Sequence, residues 1–476
     1  MTSSSFEALA PNRTAILGII LISYVMIVLD TSIVITGLPK IYEELEFSDA
    51  GLSWVANAYT LTFGGFLLLG ARAGDILGRR RMLITGLFVF TIASIAIGVA
   101  RSPTLLIAGR AVQGIGSAIL APSSLALLQT NFPAGPERAR AISYYASAAG
   151  ISASVGLVLG GILADWLSWR VGFFINLPIG LAMILATRRY VTETAPAPGR
   201  FDILGALTST LGMSALVFGI VRSATEGWSD PLTLQTLLAA GALLAVFILT
   251  EWRAKQPIMP LRLFASRGRV GAYTARFLFL GANVGFFFFS TQFMQGVGNF
   301  SPSSAGLAFL PAMAINFVSA LYLAPKLTKR IGTVRVLMVS MTIGMIGMLM
   351  LSQVSTETTY LGGLFIPMLL VGIGQGGALG PLTTLGIAGV TTEDVGAASG
   401  LVNAAHQIGS SVGLGMLIAA AAHGSPLLIG PDLLTHRVEN AMTAAAALVA
   451  LALLLTAILI RQPRRDTANT VKVAAV

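Results

Sequence analysis

The chain has 476 residues, 55% of them hydrophobic and only 11% charged, with a mean hydropathy of +0.81. A soluble globular protein carries about 25% charged residues, so this composition excludes one and leaves an integral membrane protein. The lack of cysteine excludes disulfides, thiolate catalysis and cysteine metal sites, and with three histidines a histidine-rich metal centre is not expected.

A helix needs ~20 apolar residues to cross the hydrocarbon core. After a polar start, the first such run lies at 16–35 and lacks a small-residue cleavage signal, so it reads as a retained span. Further charge-poor runs fall at 52–69, 82–100, 104–127, 141–163, 171–186, 203–221 and 232–250. The series continues at 272–295, 303–323, 336–354, 360–390, 395–421 and 440–460. The predicted fold is therefore all-α, with fourteen transmembrane helices. If both termini are cytoplasmic, 23 of the 30 basic residues fall on the cytoplasmic side and five outside, leaving Arg110 and Arg276 within helices. The formal charge of +10 is thus read as topology and not as a nucleic-acid footprint.

Two loops echo one another. Arg72, Gly78 and Arg81 match Lys326, Gly332 and Arg335 at an offset of 254, and Glu137 and Ser143 match Glu393 and Ser399 at 256. Two near-equal offsets in equivalent loops predict a parallel duplication. The expected organisation is a six-helix half over 1–190, two extra helices over 191–255 and a second six-helix half over 256–476. Paired halves suit a transporter that binds substrate near the midplane and rocks around it.

Several stretches resemble the fourteen-helix drug:proton antiporters of the major facilitator superfamily. The first is Leu29-Asp30-Thr31-Ser32-Ile33-Val34-Ile35-Thr36-Gly37-Leu38-Pro39, with Ile35 where that family usually has Asn. The loop from Arg72 to Arg81, with Asp75 and Gly78, is similar to the superfamily's loop signature, with Ala71 at its usual leading glycine. Arg110-Ala-Val-Gln113-Gly114-Ile-Gly116 resembles its proton-coupling signature. Gly150, Gly156, Gly160 and Gly161 resemble the fifth-helix antiporter signature, with Leu157 in place of proline. The stretches Trp169 to Gly180, Met259 to Phe264 and Ala398 to Gly409 complete the likeness. It implies a proton-coupled multidrug exporter in the inner membrane of a bacterium, associated with antibiotic resistance.

Asp30 is the only carboxylate deep in a span. A charge there costs about 2.5 to 3.5 kcal/mol or more unless it is paired or hydrated. It is expected either to take up and release the coupling proton or to tie helices together as a fixed partner. Arg110 needs partners for the same reason, and Gln113 lies one turn on along the same face. Arg110 can tune Asp30 through a hydrogen-bond network or serve as a structural tie to a carbonyl.

In the loop, Arg72, Asp75, Gly78, Arg79 and Arg80 suit a cytoplasmic latch that stabilises the outward-open state, against ordinary positive-inside charge. Arg276, read as one turn inside its span, is expected to snorkel to the surface. The glycine pairs at Gly114/Gly116 and Gly372 to Gly377 follow no strand and precede no Gly-Lys-Ser/Thr, which excludes a phosphate loop. They are read as close-packing positions.

An aromatic and amide face on the ninth span, Asn283, Phe287, Gln292 and Gln295, is a candidate for holding a flat lipophilic cation, although Phe286 to Phe289 go round the helix. Asn57, Asn316, Gln375, Asn403, His406 and Gln407 are the other substrate-binding candidates. The expected function is export of lipophilic, often cationic small molecules in exchange for protons, by a monomer in the bilayer that uses no cofactor, binds no nucleic acid and is not an enzyme. The alternatives are a dedicated exporter of one metabolite or antibiotic and, from a different class, a channel or membrane enzyme.

Overall fold

The computed structural model describes residues 13–133, 136–194, 202–254, 261–390, 395–423 and 428–460. Among these residues there is no strand, and twelve helices are long and apolar enough to cross a membrane. The chain ends lie outside the described residues.

The first six long helices are α1 (Arg13–Leu45), α2 (Trp54–Leu77), α3 (Arg79–Gly98), α4 (Pro103–Asn131), α5 (Pro136–Trp166) and α6 (Trp169–Tyr190). Then come α7 (Ile203–Glu226) and α8 (Pro231–Arg253). The last six are α9 (Arg267–Gly296), α10 (Pro302–Ile331), α11 (Thr333–Leu351), α12 (Tyr360–Gly386), α13 (Val395–Ala421) and α14 (Gly430–Leu459). All but α2 and α5 are among the twelve.

Local chemistry sets many of the starts. Ser102, Asp230 and Ser301 each cap a helix by accepting the amide of the residue three positions on, with Pro103, Pro231 and Pro302 occupying the first helical position, where no amide proton is needed. Asp230 also accepts from Arg222 Nε at 2.9 Å, and that guanidinium with the Thr233 amide holds its carboxyl down at about 2. It stays charged across physiological pH and fixes the α7–α8 turn.

The packing repeats. α1 lies on α5 as α9 lies on α13; α2 and α3 flank α4 as α10 and α11 flank α12; α3 meets α6 as α11 meets α14. Backbone geometry at the two echoing loops agrees. Gly78 (φ 100°, ψ 136°) and Gly332 (φ 88°, ψ 157°) each end one helix and begin the next in a conformation that side-chain-bearing residues rarely adopt. The glycine pairs have packing partners in both sets. A Cβ on Gly114 would meet α2 at Tyr59 O and one on Gly116 would meet α3 at Phe90 N, while Gly372 and Gly376 face α10 and Gly374 faces α11. They bring backbones together.

α7 packs between α2 and α13, whereas α8 packs on α7 and buries only Thr233, Ala240 and Glu251. The extra pair therefore sits at the edge of the bundle. The close approaches between the first six helices and the last six gather toward one end. Gln295 Nε2 donates to Thr36 O at 3.1 Å, Ser303 Oγ donates to Asp165 at 2.5 Å, and Ser411 Oγ donates to Asn57 Oδ1 at 3.3 Å.

Candidate functional site

Asp30 lies midway along α1 and is 1% exposed. Three donors from two other helices converge on its carboxylate. Arg110 Nη1 reaches Oδ2 at 2.7 Å, and Gln113 Nε2 and Asn176 Nδ2 reach Oδ1 at 2.8 and 3.0 Å. Arg110 also donates to Gln113 Oε1 at 2.6 Å and, through Nε, to Val55 O at 2.8 Å, and its guanidinium lies 4.2 Å from the Tyr59 ring centroid. Ser94 Oγ on α3 accepts from Gln113 and Asn176.

The site therefore knits α1, α4 and α6 together, with α2 and α3 behind. Both sequence readings of Arg110 have their contact: the hydrogen-bond network around Asp30 and the tie to a carbonyl. Asn176 and Ser94 were missed as members. The available signal was a polar side chain within each apolar run, and nothing in one sequence says that such residues meet. Chemically, a proton on Asp30 removes the charge that holds Arg110 and one acceptor site, so protonation loosens α1 from α4 and α6 and deprotonation restores the tie.

The fifth-helix glycines explain why α1 can lie so near. A Cβ on Gly156 would stand 2.7 Å from Ser32 Cβ and one on Gly160 would stand 2.5 Å from Ile33 Cα, both beside Asp30. Gly161 faces the other way, its Cβ position 2.3 Å from Pro302 O on α10. Gly150 lies outside the residues whose surroundings are described. Gly160→Val forces α1 and α5 apart and should destabilise the protein by about 1–3 kcal/mol or more. A lowered melting temperature in detergent is expected, and an unchanged one would contradict the close packing.

The loop residues make their contacts with the chain just after α6. Arg80 and Arg81 amides donate to the Glu193 carboxylate at 3.0 and 3.1 Å, Arg79 N donates to Thr194 Oγ1 at 3.0 Å, and Arg80 Nη2 donates to Arg188 O at 2.7 Å. Glu193 thus caps the N-terminus of α3, where the helix dipole favours an anion. At Gly78 a Cβ would stand 2.4 Å from that carboxylate. Arg72 is half-buried, and the side chain of Asp75 lies outside the described residues. These contacts of Arg79 and Arg80 tie the start of α3 to the end of α6.

The substrate-binding candidates do not form one surface. Asn57 is fully buried at the α2–α13 contact, where Gln407 also packs against Gly64, and Gln295 bonds α1. Asn316 donates to Gln375 Oε1 at 3.0 Å between α10 and α12. Asn283 is 1% exposed and bonded to Phe279 O of its own helix. Phe286, Phe288 and Phe289 are core, whereas Phe287 and Gln292 are half-buried and Phe287 packs 5.4 Å from Phe309. Asn403 is exposed on α13.

His406 has an unforeseen partner. Its Nδ1 lies 3.3 Å from Arg276 Nη2, and Arg276 Nη1 donates to Thr383 Oγ1 at 3.0 Å. Arg276 therefore does not snorkel. It is 7% exposed and turned inward, where Thr383 of α12 and His406 of α13 meet it.

Repeated helix pairings of membrane length around a buried ion pair are the plan of a multi-pass membrane transporter. The Major Facilitator Superfamily profile matches residues 20–414, and the chain belongs to that superfamily. The chain is 37% identical to the cephamycin export protein CmcT of Amycolatopsis lactamdurans over 410 residues, 85% of this chain and 84% of that protein. It is 33% identical to the puromycin resistance protein pur8 of Streptomyces alboniger, covering 96% of this chain and 92% of that one. Its fold is similar to that of a bacterial homologue of the human lysosomal transporter Spinster, with a TM-score of 0.65 at 16% identity, covering 94% of this chain and 95% of the other. The protein is a multi-pass transporter of the cytoplasmic membrane.

Proposed function

We propose that this protein exports lipophilic small molecules across the cytoplasmic membrane in exchange for protons, with Asp30 as the coupling acid and Arg110, Gln113 and Asn176 as the groups that sense its charge. The observation that carries this reading is the buried Asp30 carboxylate, held by donors from α4 and α6 whose grip depends on its ionisation. Export draws support from the names of two relatives, a cephamycin exporter and a puromycin resistance protein.

In this reading all fourteen long helices span, both termini are cytoplasmic, and the halves 1–190 and 256–476 rock about the midplane with α7 and α8 between them. Protons are the coupling ion, no cofactor takes part, and one chain is the working unit. With this orientation the contacts Thr36–Gln295, Asp165–Ser303 and Asn57–Ser411 hold the two halves together on the outer side. The cationic substrate expected from sequence has no free carboxylate to meet among the described residues of this core, since Asp30 is already paired. A dedicated exporter of one antibiotic is the second reading, favoured by the same two names.

Inverted membrane vesicles energised by respiration test the proposal. Adding a transported compound should discharge the pH gradient, and a protonophore, which collapses both the pH gradient and the membrane potential, should stop its uptake. Uptake that continues after the protonophore would contradict proton coupling.

A further inference from the structure

Arg276 stands apart from the proton site, and its chemistry is incomplete. The guanidinium carries five N–H donors and a permanent charge. Its partners are a hydroxyl, Thr383 Oγ1 at 3.0 Å, and an imidazole nitrogen, His406 Nδ1 at 3.3 Å. Its Nε is buried and has no hydrogen-bond partner among the described residues. Among the described residues no carboxylate pairs with it, and Tyr24 of α1 lies within its electrostatic reach. Arg110, by contrast, is neutralised by Asp30 at 2.7 Å. A charge this buried is tolerated when something pairs with it.

The surroundings suit a ligand. Thr383 on α12 is exposed and His406 on α13 is half-buried, so the two partners of Arg276 are not sealed in the core. Across from it, Tyr24 of α1 and Tyr145 of α5 stack with centroids 4.0 Å apart at 14°. A basic, hydrogen-bonding corner from α9, α12 and α13 thus faces an aromatic pair from α1 and α5. A lipophilic cation entering here meets an unneutralised like charge, whereas an anion completes the guanidinium.

We propose that Arg276, with Thr383 and His406, receives the carboxylate of a lipophilic organic anion, and that the substrates of this transporter include aromatic carboxylates. The inference deepens the exporter reading and rests on it. The bond is charge-assisted and uses the vacant Nε edge, and the ring system of the ligand lies toward Tyr24 and Tyr145.

The test is equilibrium binding to the purified full-length protein in detergent, with no pH gradient, so that its outcome does not depend on proton coupling. The probes are naphthalene-2-carboxylate, naphthalene-2-carboxamide and the 2-naphthyl-trimethylammonium cation. The carboxylate should bind about tenfold or more tighter than the carboxamide, and the cation weakest. Arg276→Gln should erase that preference and leave carboxamide binding in place. If Arg276→Gln does not fold, Arg276→Lys serves, since a point charge keeps the sign and loses the two-pronged geometry: a preference reduced several-fold supports the site, and an unchanged one overturns it. A wild-type protein that binds the carboxylate no tighter than the carboxamide, or an Arg276→Gln protein that keeps the preference, also overturns it.

Discussion

Asp30→Asn is expected to abolish substrate-dependent proton movement, because the amide keeps the shape of the side chain and has no proton to exchange. The change also meets a crowded set of donors. Arg110 Nη1, Gln113 Nε2 and Asn176 Nδ2 all point N–H groups at the carboxylate, at 2.7, 2.8 and 3.0 Å. An amide can accept from at most one side, so its own NH2 faces another donor and the guanidinium loses its counter-charge. The variant should therefore be less stable as well as uncoupled. Proton release that persists at the wild-type rate in Asp30→Asn would remove Asp30 from the mechanism.

Arg110→Ala should be the more damaging substitution for stability. It leaves the Asp30 carboxylate buried at 1% exposure without its cation and strips partners from Gln113 Oε1 and Val55 O. Breaking one side of a buried pair typically costs about 3–5 kcal/mol, whereas replacing both sides by neutral groups of similar shape costs far less. The double variant Asp30→Asn/Arg110→Gln should recover most of the melting temperature lost by Arg110→Ala while transporting nothing against a gradient. That pattern separates a structural loss from a functional one. A double variant no more stable than Arg110→Ala would contradict the pairing seen in the structure.

The charge of the substrate sets the driving force. One proton entering for one monovalent cation leaving moves no net charge, while the same exchange for a monoanion carries two positive charges inward. At about 2.3 kcal/mol per charge per 100 mV, membrane potential then becomes a main source of drive. The lone Arg276 and the paired Asp30 are thus features of one energetic scheme.

Much of this was legible in the sequence because the bilayer imposes a simple rule on it. Apolar runs marked the helices, and the offset linking Gly78 to Gly332 anticipated two loops with the same rare backbone geometry. Helix ends were less legible, since helices continue into water past the apolar run. α9 starts at Arg267 instead of near 272 and α14 starts at Gly430 instead of near 440. Arg276 looked like a surface anchor because one chain does not show that Thr383 and His406, 107 and 130 positions away, meet it. Asp30, Arg110 and Gln113 stood out because charge and spacing are visible along one chain. Asn176 did not, because its contact with Asp30 joins residues 146 positions apart and depends on how α6 rotates against α1. The substrate candidates scattered for the same reason: an amide in an apolar run signals a satisfied partner somewhere, and Asn283 found it in its own helix.

The most direct test loads liposomes containing the purified protein with an internal pH dye and adds a panel of lipophilic compounds, comparing wild type with Asp30→Asn/Arg110→Gln. Substrate-dependent proton movement in the wild type that disappears in the neutral pair is the predicted result. Substrate flux without proton movement in both proteins would contradict proton coupling at Asp30 and leave the buried pair as a structural tie.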